Sequence, residues 1–203
     1  GDGVGASGHK FSSGSHTEGR IVGKMMAAYC MDHKDETVEF IENPEDLAKE
    51  IFMPMETWGK FSGYTTDPNI NPHYIRPAML QQRLQKIMDE YVGGVGTWYM
   101  TSKYMLEEGF YYLGLLKEDS YHMCAENLHE LLRAWENFHR ILAGEAHARH
   151  IHFREETRYP GYYYRGDHLA IDDENWKCFV NSTYDKESGE WDIFKREYHQ
   201  LIP

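Results

Sequence analysis

A mainly α-helical fold, with a three-helix bundle-like centre and an extended tail that closes in a β-hairpin, is the class the sequence predicts. Three observations carry it. Apolar residues recur at helical spacing through residues 77–142, the pattern turns aromatic-rich and irregular after Arg154, and two β-prone segments flank the turn Asp185-Lys-Glu-Ser-Gly189.

The elements follow in order. Residues 1–19 carry Gly1, Gly3, Gly5, Gly8, Gly14 and Gly19 with Ser7, Ser12, Ser13 and Ser15 between them, a composition for tight turns. A helix is expected from Ser15, with Glu18 as its capping-box partner, to about Met31. Residues 32–76 hold many charges and, with Pro77 just beyond, five prolines, and read as a connector with one short helix over residues 44–51 led by Asn43. Pro77 suits a first helical turn ahead of Leu80, Leu84, Ile87, Met88 and Tyr91, and Gly93-Gly94 ends that helix. A second helix is expected over residues 102–116. A third follows an Asp119-Ser120 cap, with Leu128, Leu131, Leu132, Trp135, Phe138 and Leu142 on one stripe. Core packing accounts for these residues more simply than any cofactor box. Last come strands at residues 178–184 and 191–198.

Composition excludes some functions. The 203 residues are 41% hydrophobic, and no apolar run approaches the roughly 18 residues of a membrane span. The net charge is −12 with no basic face, which argues against a nucleic-acid partner. Cys30, Cys124 and Cys178 lie far apart, so no disulfide framework or metal knuckle can be read, and a reducing cytoplasm fits best. The chain opens at Gly1-Asp2 without a methionine, so a preceding segment is expected.

Several constellations could carry chemistry. Gly3-Val-Gly-Ala-Ser-Gly8 has the Gly-x-Gly-x-x-Gly spacing, but no strand precedes it and no acidic residue closes a βαβ unit, so a glycine-rich turn against another part of a cofactor is the better reading. Ser12-Ser-Gly-Ser15 at a helix start offers backbone amides to an anionic group, such as the pyrimidine side of a reduced flavin. A plain capped helix is the alternative. Glu126-x-x-His129 and Glu136-x-x-His139 resemble di-iron ligand pairs, yet ten residues on one helix set them about 280° apart. His147, His150 and His152 with Glu145 could bind a metal or be ordinary surface histidines. No metal site is assigned. Phe153-Arg-Glu-Glu-Thr-Arg158 fits either a solvated charge run or a buried ion-pair anchor.

Gly1-Asp2 with Ser7-Gly-His-Lys-Phe-Ser-Ser-Gly-Ser-His-Thr-Glu-Gly-Arg20 resembles the second FAD-contacting segment of the fumarate reductase and succinate dehydrogenase flavoprotein superfamily, in the version of the adenylylsulfate reductase alpha subunits. Phe153-Arg-Glu-Glu-Thr-Arg-Tyr-Pro-Gly-Tyr-Tyr-Tyr-Arg165 and Asp172-Asp-Glu-Asn-Trp-Lys-Cys-Phe-Val-Asn181 resemble the helical domain and tail of that family. The wider superfamily has Arg-Glu-Ser-Arg-Gly at the position of Arg154–Arg158 and Asp-Asp-x-x-Trp at Asp172–Trp176. The dicarboxylate enzymes hold a substrate carboxylate with an arginine in the first segment; here Lys10 stands in its place, which implies a different oxyanion.

The resemblance implies a carboxy-terminal piece of a flavoprotein subunit. Residues 1–45 would end the FAD-binding α/β domain, residues 46–152 form the helical domain and residues 153–203 an aromatic-rich extension. It places Asp2 at the ribityl chain of FAD, Ser12, Ser13, Gly14 and Ser15 near the flavin ring, and His9 or Lys10 on the substrate side. The implied reaction is reduction of adenosine 5′-phosphosulfate to sulfite and AMP, or its reverse, with electrons from an iron–sulfur beta subunit that carries the clusters. The family's dinucleotide-binding unit would lie upstream of Gly1, so this chain is not expected to catalyse alone, and membrane association would be indirect at most. The rivals are a fumarate or succinate-type subunit and a non-catalytic helical interaction module.

Overall fold

The computed structural model describes residues 11–37, 43–64, 67, 69–71 and 73–199. The chain divides into two compact units, Gly1–Pro44 and Glu45–Pro203.

The first unit contains helix α1 (Phe11–Asp32). It starts a full turn before the expected Ser15, which corrects that boundary. The Ser15–Glu18 capping signal is local, and the stretch from Phe11 to Glu18 holds no proline and one glycine, so the helical backbone ladder runs through it. At the other end the His33 amide and ring Nδ1 both lie within hydrogen-bond reach of the Tyr29 carbonyl, at 3.0 and 2.9 Å, and the His33 ring stacks on Tyr29. Those contacts occupy a carbonyl that the helix itself leaves open.

The second unit is built on α2 (Pro44–Phe61), α3 (Pro77–Tyr91), α4 (Lys103–Ser120) and α5 (Leu128–Phe153), with a short helix α6 (Asp173–Trp176). Two small sheets complete it. β1 (Met100–Thr101) pairs in parallel with β2 (Tyr164–Arg165), and β3 (Cys178–Tyr184) pairs antiparallel with β4 (Trp191–Glu197). A 3-10 turn, Val95–Thr97, joins α3 to β1.

The bundle core lies between α3, α4 and α5. Leu80, Leu84, Leu106, Leu113, Leu116, Ile141 and Ile151 are buried there with Ala134 and Ala148. Glycines set how closely the helices approach. A β-carbon on Gly109 of α4 would lie 3.0 Å from the Tyr91 side chain, and one on Gly144 of α5 would lie 3.1 Å from Met88 Sδ. Pro77 opens α3 as expected, and Gly93 after it takes a positive φ of 88°, a conformation that glycine adopts without a β-carbon clash.

Four expectations are corrected. The connector contains an 18-residue helix, α2, which runs through Pro54. Trp135 Nε1 donates to the Ile51 carbonyl at 2.9 Å, and the Pro54 carbonyl accepts from the Ala125 amide at 2.8 Å, so partners elsewhere in the fold accommodate the proline. Asp119 and Ser120 lie in the last turn of α4 and do not cap α5; Asn127 does, its side chain accepting from the His129 and Glu130 amides at 3.0 and 3.1 Å. Glu126 therefore precedes α5, and the two Glu-x-x-His pairs do not share one helix. Leu128 and Leu132 are exposed while Leu131, Ala134, Asn137 and Ile141 are buried, so the inward face is rotated from the stripe of large residues. Small Ala134 takes an inward position and is fully buried.

The hairpin matches its expected segments. Asp185 organises the turn, its side chain accepting from the Glu187 amide and the Ser188 hydroxyl at 2.9 and 2.8 Å, and Gly189 takes a φ of 73°. It docks on the bundle through a hydrogen bond between the His150 ring and Ser182 at 2.9 Å and one from Lys117 Nζ to the Tyr184 hydroxyl at 2.9 Å.

Candidate functional site

The first segment picked out in the sequence lies at the start of α1. Asp2, His9 and Lys10 fall outside the described residues. Ser12, Ser13 and Gly14 occupy the first turn, and Ser15 follows. The opening amides of a helix have no acceptor within it, and no acidic residue sits in this turn to neutralise their partial positive charge. That donor set, with serine the predominant residue type, fits an electron-rich ring edge or an anion, and so fits the flavin that the sequence implies.

The second segment folds into a buried charged anchor at the end of α5. Glu156 is fully buried. Its carboxylate accepts from Arg158 Nε at 2.6 Å and Nη2 at 2.9 Å, from the Asp172 amide at 2.9 Å, and from Arg154 Nη1. Arg154 also donates to the Trp176 carbonyl at 2.9 Å and the Cys178 carbonyl at 2.7 Å, and Arg158 donates to Asp173 at 2.8 Å. Arg154–Arg158 and Asp172–Trp176, two stretches singled out separately in the sequence, are thus one assembly. Burial by itself would push the Glu156 carboxyl up, but bonds from Arg158, the Asp172 amide and Arg154 outweigh it and hold the group below its ordinary value. Of the two sequence readings, the buried ion-pair anchor is the one observed.

Arg165, also buried, extends the anchor. Its Nη1 donates to the carbonyls of Ile151, His152 and Arg154 at 2.5, 3.1 and 2.9 Å, occupying acceptors that the last turn of α5 leaves open. Its Nε and Nη2 make a bidentate pair with Asp167 at 2.9 and 2.8 Å, and Asp167 accepts from the Lys103 amide at 3.0 Å, at the start of α4. The Arg165 guanidinium, aided by that amide, holds the Asp167 carboxyl well below the usual carboxylate range. Sequence reasoning quoted Arg165 only as the end of a resembling segment and gave neither it nor Asp167 a role. The available signal was an arginine two residues from an aspartate directly after a tyrosine cluster.

The histidines of α5 diverge. His147 is exposed, His150 bonds Ser182, and His152 packs edge-on against Phe110 with Glu107 at 3.5 Å. Among the described residues no three metal-ligating side chains are gathered. Cys124 is buried, its thiol pushed up to about 11 chiefly by desolvation, which removes it as a nucleophile at neutral pH.

The second unit is a helical bundle locked by a buried Arg-Glu-Arg cluster, and along the chain it follows a helix that opens on a serine-rich turn. A chain of the Mycobacterium smegmatis Sdh1 complex in the apo form shares this fold, with a TM-score of 0.55 over 85% of this chain and 27% of that one, at 19% identity. No family model matches the chain. Adenylylsulfate reductase subunit alpha from Megalodesulfovibrio gigas is 55% identical over 202 residues, covering 100% of this chain and 30% of the relative. The structure of adenylylsulfate reductase from the hyperthermophilic Archaeoglobus fulgidus aligns with a TM-score of 0.89 at 47% identity, over 96% of this chain and 30% of that one. An adenosine-5-phosphosulfate reductase in complex with sulfite as a covalent adduct gives the same score and coverage. The chain belongs to the adenylylsulfate reductase alpha-subunit family and spans about 30% of the length of the relatives it matches. No helix among the described residues is long and apolar enough to cross a membrane.

Proposed function

We propose that this chain is the carboxy-terminal part of a flavoprotein subunit that interconverts adenosine 5′-phosphosulfate with sulfite and AMP, with electrons from an iron–sulfur beta subunit. The observation that carries this reading is the 55% identity to an adenylylsulfate reductase alpha subunit over 100% of the chain. A structural relative holding a sulfite adduct supports the sulfur chemistry. The apolar residues Ile21, Val22, Met25, Met26 and Tyr29 on α1 are exposed, as expected of a helix that packs against further parts of a larger subunit.

FAD, when bound, would supply the two-electron chemistry. The chain's own contribution is positioning. The first-turn amides of Ser12, Ser13 and Gly14 would favour negative charge on the ring edge they face, raising its electron affinity. Asp2 would bond the ribityl chain, Ser15 would lie near the ring, and His9 or Lys10 would face the oxyanion. The buried anchor fixes the carboxy end of α5 to the tail, and the bundle and its aromatic extension would brace the flavin domain and help dock the partner.

The test uses the full reading frame containing this segment, produced with its iron–sulfur partner. Acceptor reduction that needs both AMP and sulfite is expected, with a flavin spectrum alongside. Bound flavin without that turnover moves the assignment to a dicarboxylate-type enzyme, whose link to this chain is a likeness of fold alone. Absence of flavin points to an interaction module.

A further inference from the structure

We propose that His73 and His122 form a two-imidazole chelate for a borderline divalent transition-metal ion such as Zn2+. The two rings come from positions 49 apart in sequence, yet their Nδ1 atoms lie 3.2 Å from each other. Two nitrogens on a tetrahedral zinc, each at about 2.05 Å, are separated by about 3.3 Å. The pair therefore already has the bite of a chelate, and a small swing of either ring turns both lone pairs onto a common point.

The rings are held there by the fold. Ile75 and Met123 form a parallel bridge, the Ile75 amide donating to the His122 carbonyl at 3.2 Å and the Cys124 amide to the Ile75 carbonyl at 3.0 Å, which locks the two backbones side by side. The His73 ring stacks on Phe61 at a centroid distance of 4.7 Å, restricting its rotation. His73 is exposed and His122 half-buried, so an ion can reach them. No third ligand is gathered among the described residues, which leaves the remaining positions to water. Imidazole ligation with open water positions suits Zn2+, Ni2+ or Cu2+ and disfavours Mg2+ and Ca2+, which take oxygen donors.

Without metal, one ring donates its Nδ1 proton to the other. Binding needs both lone pairs, so the donor ring carries its proton on Nε2 instead, and the neutral pair takes up the ion with no net proton release. The bound ion would clip the segment before α3 to the corner between α4 and α5.

The experiment is calorimetric titration of the full-length subunit, in complex with its partner and stripped of loose metal, with ZnCl2 at pH 7.5. The native complex is compared with His73→Gln, His122→Gln and, as an exposed control outside the pair, His147→Gln. The expected result is one zinc equivalent whose affinity falls at least tenfold in each of the first two variants and stays unchanged in the third. Flavin content and circular dichroism of the stripped proteins confirm folding. Equal affinity and stoichiometry in the native complex and both pair variants would overturn the proposal, as would no zinc uptake by the native complex.

Discussion

Arg165 and Asp167, two residues apart, join the end of one core helix to the start of another: the guanidinium occupies three carbonyls at the carboxy end of α5, while the carboxylate it grips takes the Lys103 amide at the head of α4. Arginine alone has the five-donor fork that serves both partners at once. Arg165→Ala is expected to lower the unfolding free energy by about 3–5 kcal/mol, because it strands three carbonyls and a carboxylate. Arg165→Lys should recover only part of this. Chemical denaturation of the intact subunit measures both, and a lysine variant as stable as the native protein would refute the bidentate argument.

Acid should release the same anchor. Asp167 is held low chiefly by Arg165, and Glu156 is held low by Arg158, the Asp172 amide and Arg154 against its own burial. A carboxyl depressed on folding contributes stability above its unfolded value, near 4, and that contribution is lost as pH falls toward the folded value. The contribution should therefore be constant from pH 6 to 8 and decline below about pH 4. Glu156→Gln should flatten the decline; an unchanged profile would show that other groups govern it.

Trp135 is expected to stabilise α2 through its bond to the Ile51 carbonyl, one residue beyond the carbonyl that Pro54 cannot serve. Trp135→Phe should cost roughly 0.5–1.5 kcal/mol by removing that bond. Combining it with Pro54→Ala should recover part of the loss, and simple additivity in a double-mutant cycle would refute the coupling.

Two glycines should respond in opposite directions. A β-carbon on Gly94 would collide with the backbone and carboxylate of Asp89, whereas one on Gly114 in α4 meets no atom within 4 Å. Gly94→Ala should destabilise by about 1–3 kcal/mol. Gly114→Ala should stabilise by roughly 0.5–1 kcal/mol through helix propensity. Melting temperatures of the two variants decide, and movement in the same direction would contradict the packing described.

His9 or Lys10 is proposed to face the substrate oxyanion. Lys10→Ala in the intact complex should raise KM for sulfite by tenfold or more with flavin content retained; unchanged kinetics would remove it from the site.

Local signals determined the elements whose ends carry local chemistry. Pro77 and the Gly93 turn bound α3, Ser102 caps α4 with a bond from the Met105 amide, and Asp185 with Gly189 makes the hairpin turn, because each needs only neighbours along the chain. The whole-chain relationship to the alpha-subunit family was legible for the same reason, in contiguous segments around Ser12 and Arg154. Tertiary structure alone decided the rest. α2 runs through Pro54, with donors from α5 and the segment before it bonding the Ile51 and Pro54 carbonyls. Leu132 faces out and Ala134 in because the packing of α5 on the bundle, not residue size along the chain, sets which face turns inward. Arg165 becomes a keystone because folding carries it to the open carbonyls of α5, a fact about distance in space that residue order does not contain.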